Sequence, residues 1–482
     1  MRAKIFAPEL MKWWTLAAVA FGLFMIMLDN TVVNVALPSI ERDLHISISE
    51  LEWIVTAYAL TFAALMITGG KLADLYGRRR IFVVGLVVFT ASSFVCGIAP
   101  TSGWLIGARA VQGIGAALMN PATLSIITAT FPPRQRGLAI GIWAGVSAMA
   151  LAIGPLVGGL LTEHISWHWV FYINVPIGAL GIVASYVFIT ESKDTSHEQR
   201  LDLPGLLSSG VGLFALTYAL IESNNYGWTS GRILASFAVA VVLLVAFVVL
   251  ELRQRLPMLE LSLFRSGTFT GANVATLFVG LAMFGVFFYV SLFMQQVLDY
   301  SPVQAGATFL PMTVLVILVA PQAGRISDRF GSRWLVGSGM TLVAGSLLWY
   351  SRLDAGTTFW DILPGLLMGG VGMAMTMTPT TAAAMGSVPV DKAGVGSAVL
   401  NSMRQIGGSL GIAIMGAVIA HVMAGQLAAG HPRPEAFTSG FHDGLRLAAA
   451  FAFVGGLIGA ATLKNVRHGD VPQHDAAVES AT

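Results

Sequence analysis

GKLADLYGRRR, residues 70–80, returns later in the chain as GRISDRFGSRW, residues 324–334. Glycine, a basic residue, an aliphatic, a small residue, aspartate, any residue, an aromatic, glycine, any residue and arginine keep one spacing in both copies. Each copy closes an apolar run, 52–70 or 304–325, and opens another, 81–99 or 334–351. A Gly-Asp-Gly-Arg pattern also suits a tight basic turn, but the shared ten-position register points to duplication of a larger unit. A duplicated helical bundle with a site near its midplane is the plan of rocking transporters.

The composition fits a chain that lives in lipid. Of 482 residues, 55% are hydrophobic and 11% charged, about half the charged share usual in soluble domains. Glycine is abundant, at 53 residues, as in membrane helices that pack closely. The net charge of +2 gives no reason to expect a nucleic-acid partner. The single cysteine, Cys96, excludes an intrachain disulfide framework. Basic residues precede the first apolar run, but it passes Asp29 without a small-residue cleavage site, so it reads as a retained span.

Besides the four runs above, stretches long enough to cross a bilayer fall at about 13–37, 104–128, 138–162, 168–190, 203–222, 233–251, 269–293, 361–384, 395–423 and 444–463. The expected fold is therefore an all-α polytopic membrane protein of fourteen spans. Residues 1–200 would form a six-helix bundle, 201–262 an inserted hairpin, 263–465 a second six-helix bundle and 466–482 a polar cytoplasmic tail. Connections on the N-terminal side carry most of the basic residues, among them Arg78, Arg79, Arg80, Arg136, Arg325, Arg329 and Arg333. By the positive-inside rule both termini face the cytoplasm. A long outer connection is expected at roughly 424–442, and the 191–202 linker is polar.

LFMIMLDNTVVNVALPSI, residues 23–40, puts Asp29 deep in the first run. A carboxylate at the bilayer centre costs roughly 2.5–3.5 kcal/mol on the most lenient scale, so it faces a partner or a water-filled cavity. Arg109, in the run 104–128, falls at comparable depth. Burial raises a carboxylate pKa and a nearby cation lowers it. Asp29 is thus a candidate coupling-proton site with Arg109 setting its affinity; a permanent structural ion pair is the alternative. Arg404 opens the thirteenth run, where snorkelling to headgroups or a gate contact would satisfy it.

Taken in order, the motifs resemble the fourteen-span drug:proton antiporters of the major facilitator superfamily, the multidrug and quaternary-ammonium exporter type. LDNTVVNVALP at 28–38, GKLADLYGRRR, RAVQGIGAA at 109–117, GPLVGG at 154–159, WHWVFYINVPIG at 167–178 and NSMRQIGGSLGIAIMG at 401–416 carry the resemblance. His168 departs from it, standing where members usually carry arginine. The resemblance implies a cytoplasmic gate at Asp74, held by Arg78, with Asp328 as its counterpart in the second copy and Arg404 nearby. It also implies that Gly154, Pro155, Gly158 and Gly159 form a helix motif that goes with export. Physically, Pro155 bends the helix and the glycines admit a close neighbour. Amides at Asn34, Gln112, Gln295 and Gln296 are candidates for the substrate pathway. Glu222 is a further candidate there, although a solvated structural role suits it better.

The function this implies is proton-coupled export of hydrophobic, often cationic, drugs or toxic compounds by alternating access across the cytoplasmic (inner) membrane. Met25, Met27, Phe284, Phe287, Phe288, Phe293 and Met294 are of the types that line such pockets. Export of an endogenous metabolite, or import of a small solute, are the alternatives. An enzyme is disfavoured. No GxxxxGK[ST] loop occurs, His164 and His168 lack the HExxH pattern, and GGVGMAM at 369–375 has no strand before it. Neither metal nor cofactor is expected. Expected partners are lipophilic small molecules, protons and membrane lipids, with a monomeric chain and no accessory efflux component identified.

Overall fold

A computed structural model describes residues 8–193, 202–254, 257, 259–388 and 393–463. Among them the chain is helical with no strand. The order is α1 (Pro8–Leu44), α2 (Ile48–Tyr76), α3 (Arg78–Gly97), α4 (Ser102–Thr130), α5 (Pro133–His164), the short α6 (Trp169–Tyr172), α7 (Asn174–Phe188), α8 (Leu203–Tyr226) and α9 (Gly231–Arg253). A 3₁₀ turn at Leu261–Arg265 leads to α10 (Gly267–Gln296), the short α11 (Pro302–Thr308), α12 (Leu310–Phe330), α13 (Ser332–Tyr350), α14 (Phe359–Gly386), α15 (Ala393–Ala428) and α16 (Arg433–Thr462).

Fourteen crossings are not supported. Among the described residues, 12 helices are long and apolar enough to cross a membrane. The expected runs 138–162 and 334–351 do not qualify. The first lies in α5, whose described apolar stretch covers only Leu138–Ser147. The second lies in α13, where Arg333, Trp334, Trp349 and three serines dilute the aliphatic content over 19 residues. The six-plus-two-plus-six helix plan falls with that count. A second expectation also changes. The connection at 424–442 is short, because α15 continues to Ala428 and α16 begins at Arg433. Gly430, at φ 89°, makes the turn and Pro432 caps the next helix. The linker 194–201 and the tail 464–482 lie outside the described residues.

Helices α1 to α7 pack among themselves, as do α10 to α16. The groups meet along α2 against α15, α1 against α10 and α5 against α11. Helices α8 and α9 pair at the periphery, and α8 leans on α2 and α15. Val241, Val242, Val245 and Leu252 stay exposed on α9, an apolar face suited to lipid, where no water penalises it.

The duplicated motif makes the same joint twice. Gly77 separates α2 from α3 at φ 114°, and Gly331 separates α12 from α13 at φ 87°. A side chain with a Cβ would be strained at either angle, so the second glycine of the motif is a backbone requirement. Each glycine N–H returns to the helix it ends, to the carbonyls of Ala73 and Ser327. At the first joint the Glu191 carboxylate accepts the N–H groups of Arg79 (3.0 Å) and Arg80 (3.2 Å), meeting the positive end of α3.

The C-terminal ends of α1 and α10 are fastened together. Ser291 donates to the Asn34 carbonyl at 3.3 Å and Gln295 to the Val35 carbonyl at 3.0 Å. Gln296 bonds Glu41, which also pairs with Arg433 of α16 at 3.2 Å.

Candidate functional site

Helix α1 carries two functional faces. Met27, Asn30, Thr31 and Asn34 recur at helical spacing and line a cavity between the two groups. Asp29 points the other way, toward α3, α4 and α7. It is fully buried, as is Arg109 of α4.

Asp29 sits in a polar network enclosed by apolar helices. Arg109 Nη1 lies 2.5 Å from Asp29 Oδ2. Gln112, one turn on from Arg109, donates to Asp29 Oδ1 at 2.9 Å and accepts from Arg109 at 2.7 Å. Asn174 of α7 also donates to Asp29 Oδ1 at 3.3 Å and, with Gln112, to the Ser93 hydroxyl. Arg109 Nε donates to the Ile54 carbonyl at 3.1 Å, and the guanidinium lies over the Tyr58 ring at 4.3 Å. A buried ion pair is tolerable when its other donors and acceptors find partners. Both Asp29 oxygens and Arg109 Nε and Nη1 do, while Asn174 Oδ1 and the Tyr58 hydroxyl beside them are buried without a hydrogen-bond partner. Asn174 and Ser93 went unnoticed in the sequence because single polar residues in apolar runs are commonplace.

About 700 Å³ of non-atom space lies in and around the cavity, part of it open to the outside. Five methionines (Met27, Met66, Met283, Met373 and Met377) and three phenylalanines (Phe62, Phe284 and Phe287) form much of its wall. Of the aromatic and thioether residues singled out in sequence, Met27, Phe284 and Phe287 are there. Met25, Phe288, Phe293 and Met294 are packed in the core instead. Asn30, Asn34, Asn120, Asn401 and Gln405 add amides, and Arg404 adds a charge. Among the described residues no aspartate or glutamate lines it.

The remaining candidates fall elsewhere. Gln112 belongs to the Asp29 network. Gln295 and Gln296 serve the fastening of α1 to α10. Glu222 accepts from Trp53 Nε1 at 3.0 Å and from Asn225 at 2.9 Å, near the C-terminal end of α8. Asp74 accepts from Arg78 at 3.0 Å, and Arg78 also donates to the Ser125 carbonyl of α4. The Asp328 side chain lies outside the described residues. The glycine-proline motif forms a seam: Gly154 abuts Thr31, Gly158 abuts the Val32 backbone, and Gly159 abuts Pro302 and Val303 of the other helix group. Gly306 of α11 in turn meets the Pro155 carbonyl.

Sequence reasoning missed Glu52. Its carboxylate is buried on α2, and Tyr289 of α10 places its hydroxyl 2.9 Å from Oε1 and 2.9 Å from the Ile412 carbonyl of α15. Its position near the start of an apolar run, two residues after Glu50, gives no sequence signal of burial.

Residues 19–412 match the family described as the Major Facilitator Superfamily. The chain belongs to that superfamily. Membership places it among multi-pass membrane transporters rather than enzymes. It is similar to the tetracenomycin C resistance and export protein of Streptomyces glaucescens, 37% identical over 85% of this chain and 76% of that protein. A puromycin resistance protein of Streptomyces alboniger is 36% identical over 95% of this chain and 91% of its own. A methylenomycin A resistance protein of Streptomyces coelicolor is 38% identical over 84% and 85%. Among solved structures, the fold resembles an inward-facing bacterial homologue of the lysosomal transporter Spinster, with TM-score 0.64 and 19% identity over 94% of this chain and 96% of that one. A peptide transporter crystallised with sulfate gives TM-score 0.68 at 16% identity over 93% and 94%.

Proposed function

We propose that the protein is a proton-coupled exporter of drug-like compounds in the cytoplasmic membrane. The observation that carries this reading is that one helix, α1, holds the buried Asp29–Arg109 pair on one face and lines an apolar cavity with the other. Export-type relatives support the direction of transport. Both termini face the cytoplasm in this reading, consistent with the basic connections, and the chain works as a monomer.

Asp29 carries the coupling proton. When it is protonated its attraction for Arg109 is lost, yet Arg109 keeps the Ile54 carbonyl, the Gln112 amide oxygen and the Tyr58 ring. Those partners let the guanidinium remain buried through the cycle. Deprotonation draws Asp29 back to Arg109 and shifts α1, and Thr31 and Val32 move against Gly154 and Gly158 of the α5 seam. Residues 1–200 and 263–465 act as the two moving bodies, with 201–262 peripheral. Asp74 and Arg78 stabilise the cytoplasmic joint, with Asp328 at the matching position of the second motif copy. Glu222 is structural. Each proton moved inward contributes roughly 2.3 kcal/mol per 100 mV in addition to the pH difference.

Everted membrane vesicles with an imposed pH gradient test the reading. Uphill uptake of a fluorescent drug-like probe by the native chain, lost in Asp29→Asn with probe binding retained, is expected. Full gradient-driven uptake by Asp29→Asn removes the carrier role.

A further inference from the structure

The cavity wall has an unusual charge balance for a transporter expected to prefer cations. Among the described residues Arg404, on α15, is its only charged lining residue. Among the described residues no carboxylate lies within ion-pairing distance of it. Its Nη1 donates to Asn401 Oδ1 at 3.2 Å, while Nε is buried without a partner. The neighbouring Gln405 Oε1 is likewise buried without a partner. Asp29, the nearest acid along α1, is fully enclosed and already paired with Arg109. A guanidinium half-buried in a mostly apolar pocket calls for an anion or a strong acceptor. Around it stand the flat, polarizable surfaces of Phe284, Phe287, Met283 and Met377.

We propose that this cavity takes flat apolar compounds whose polar end is anionic or a strong acceptor, such as a carboxylate, an ionised phenol or a quinone-type carbonyl, docked on Arg404, and that it disfavours lipophilic cations. The amides of Asn30, Asn34 and Asn120 take the hydroxyls of such a compound. The proposal names the substrate class of the exporter and rests on that reading. At a separation of roughly 7 Å and an effective dielectric of about 20, one unit of charge on the ligand changes binding by about fifty-fold relative to a neutral compound. Water in the cavity reduces this, so a gap of about tenfold or more between anion and cation is expected.

The test uses two planar fluorescent probes, fluorescein as the anion and ethidium as the cation, titrated by anisotropy against the purified full chain in detergent. Fluorescein binding at least about tenfold tighter supports the proposal. Arg404→Gln should erase the gap by weakening fluorescein alone, and Arg404→Lys should keep it. A thermal-unfolding scan of each variant separates a binding change from a folding loss. Ethidium bound as tightly as fluorescein, no binding of either, or an unchanged ratio in a folded Arg404→Gln overturns it. Vesicle transport separates this failure from that of the exporter reading. Uphill movement of ethidium but not fluorescein refutes the substrate class and leaves export standing. Fluorescein bound with the expected ratio yet never moved uphill leaves the cavity preference standing and refutes export.

Discussion

The molecule places two arginines inside membrane helices, Arg109 fully buried and Arg404 half-buried, and treats them in opposite ways. Arg109 is met by a carboxylate, an amide, a backbone carbonyl and an aromatic face. Arg404 has one amide contact and looks into a cavity. Both sit inside apolar segments, so sequence position alone gives them equal standing. The difference lies in their surroundings: Arg109 is part of a closed electrostatic unit, and Arg404 is an open valence. A transporter needs both kinds, one to hold a proton site in a defined state and the other to meet whatever the cavity admits.

The largest effect should come from opening the closed unit. Arg109→Ala leaves Asp29 buried without its cation and should cost about 3–5 kcal/mol. Thermal unfolding in detergent reads this as loss of most folded protein. The double change Asp29→Asn with Arg109→Gln should cost clearly less than the two single costs added; strict additivity would show that the two do not act as a pair.

Next in size are two substitutions at the contacts between helices. Tyr289→Phe strips the hydroxyl from the buried Glu52 and should destabilise by about 1–3 kcal/mol, read as a lowered unfolding midpoint. A negligible shift would place Glu52 with Arg404 among the groups that tolerate an unmet valence. Gly158→Leu forces a side chain against the Val32 backbone and should cost about 1–3 kcal/mol by overpacking. It should also slow transport in vesicles more than it weakens probe binding.

Arg404→Met should barely change stability, within about 1 kcal/mol, because it removes a charge that has no counter-ion. A loss as large as that of Arg109→Ala would erase the contrast. Smallest of all, Arg433→Ala breaks an exposed pair with Glu41 and should change stability by about 0.5 kcal/mol or less.

Much of this arrangement was readable in the sequence, for identifiable reasons. The joint glycines were legible because a repeated motif marks a repeated backbone need. Asp29 and Arg109 were legible because charge in an apolar run has few permitted explanations. The number of crossings was not, since α13 mixes aliphatics with tryptophan, serine and arginine at the margin of membrane compatibility. The division of amides was not either: Asn34 lines the cavity, Gln112 joins the Asp29 network and Gln295 fastens helices, and only the rotation of each helix decides which. Glu52 stayed hidden because burial near a helix start depends on the neighbour that covers it, here Tyr289 from more than two hundred residues away.

The bond from Ser291 to the Asn34 carbonyl has a consequence for how α1 tolerates change. In a regular helix that oxygen would receive the N–H four residues on, but position 38 is proline, which has none. The ring therefore leaves a main-chain acceptor vacant, and the serine from α10 fills it. Because the acceptor is backbone, the identity of residue 34 can drift without loosening this clasp. The vulnerable positions are instead the imino acid that freed the oxygen and the hydroxyl that claims it.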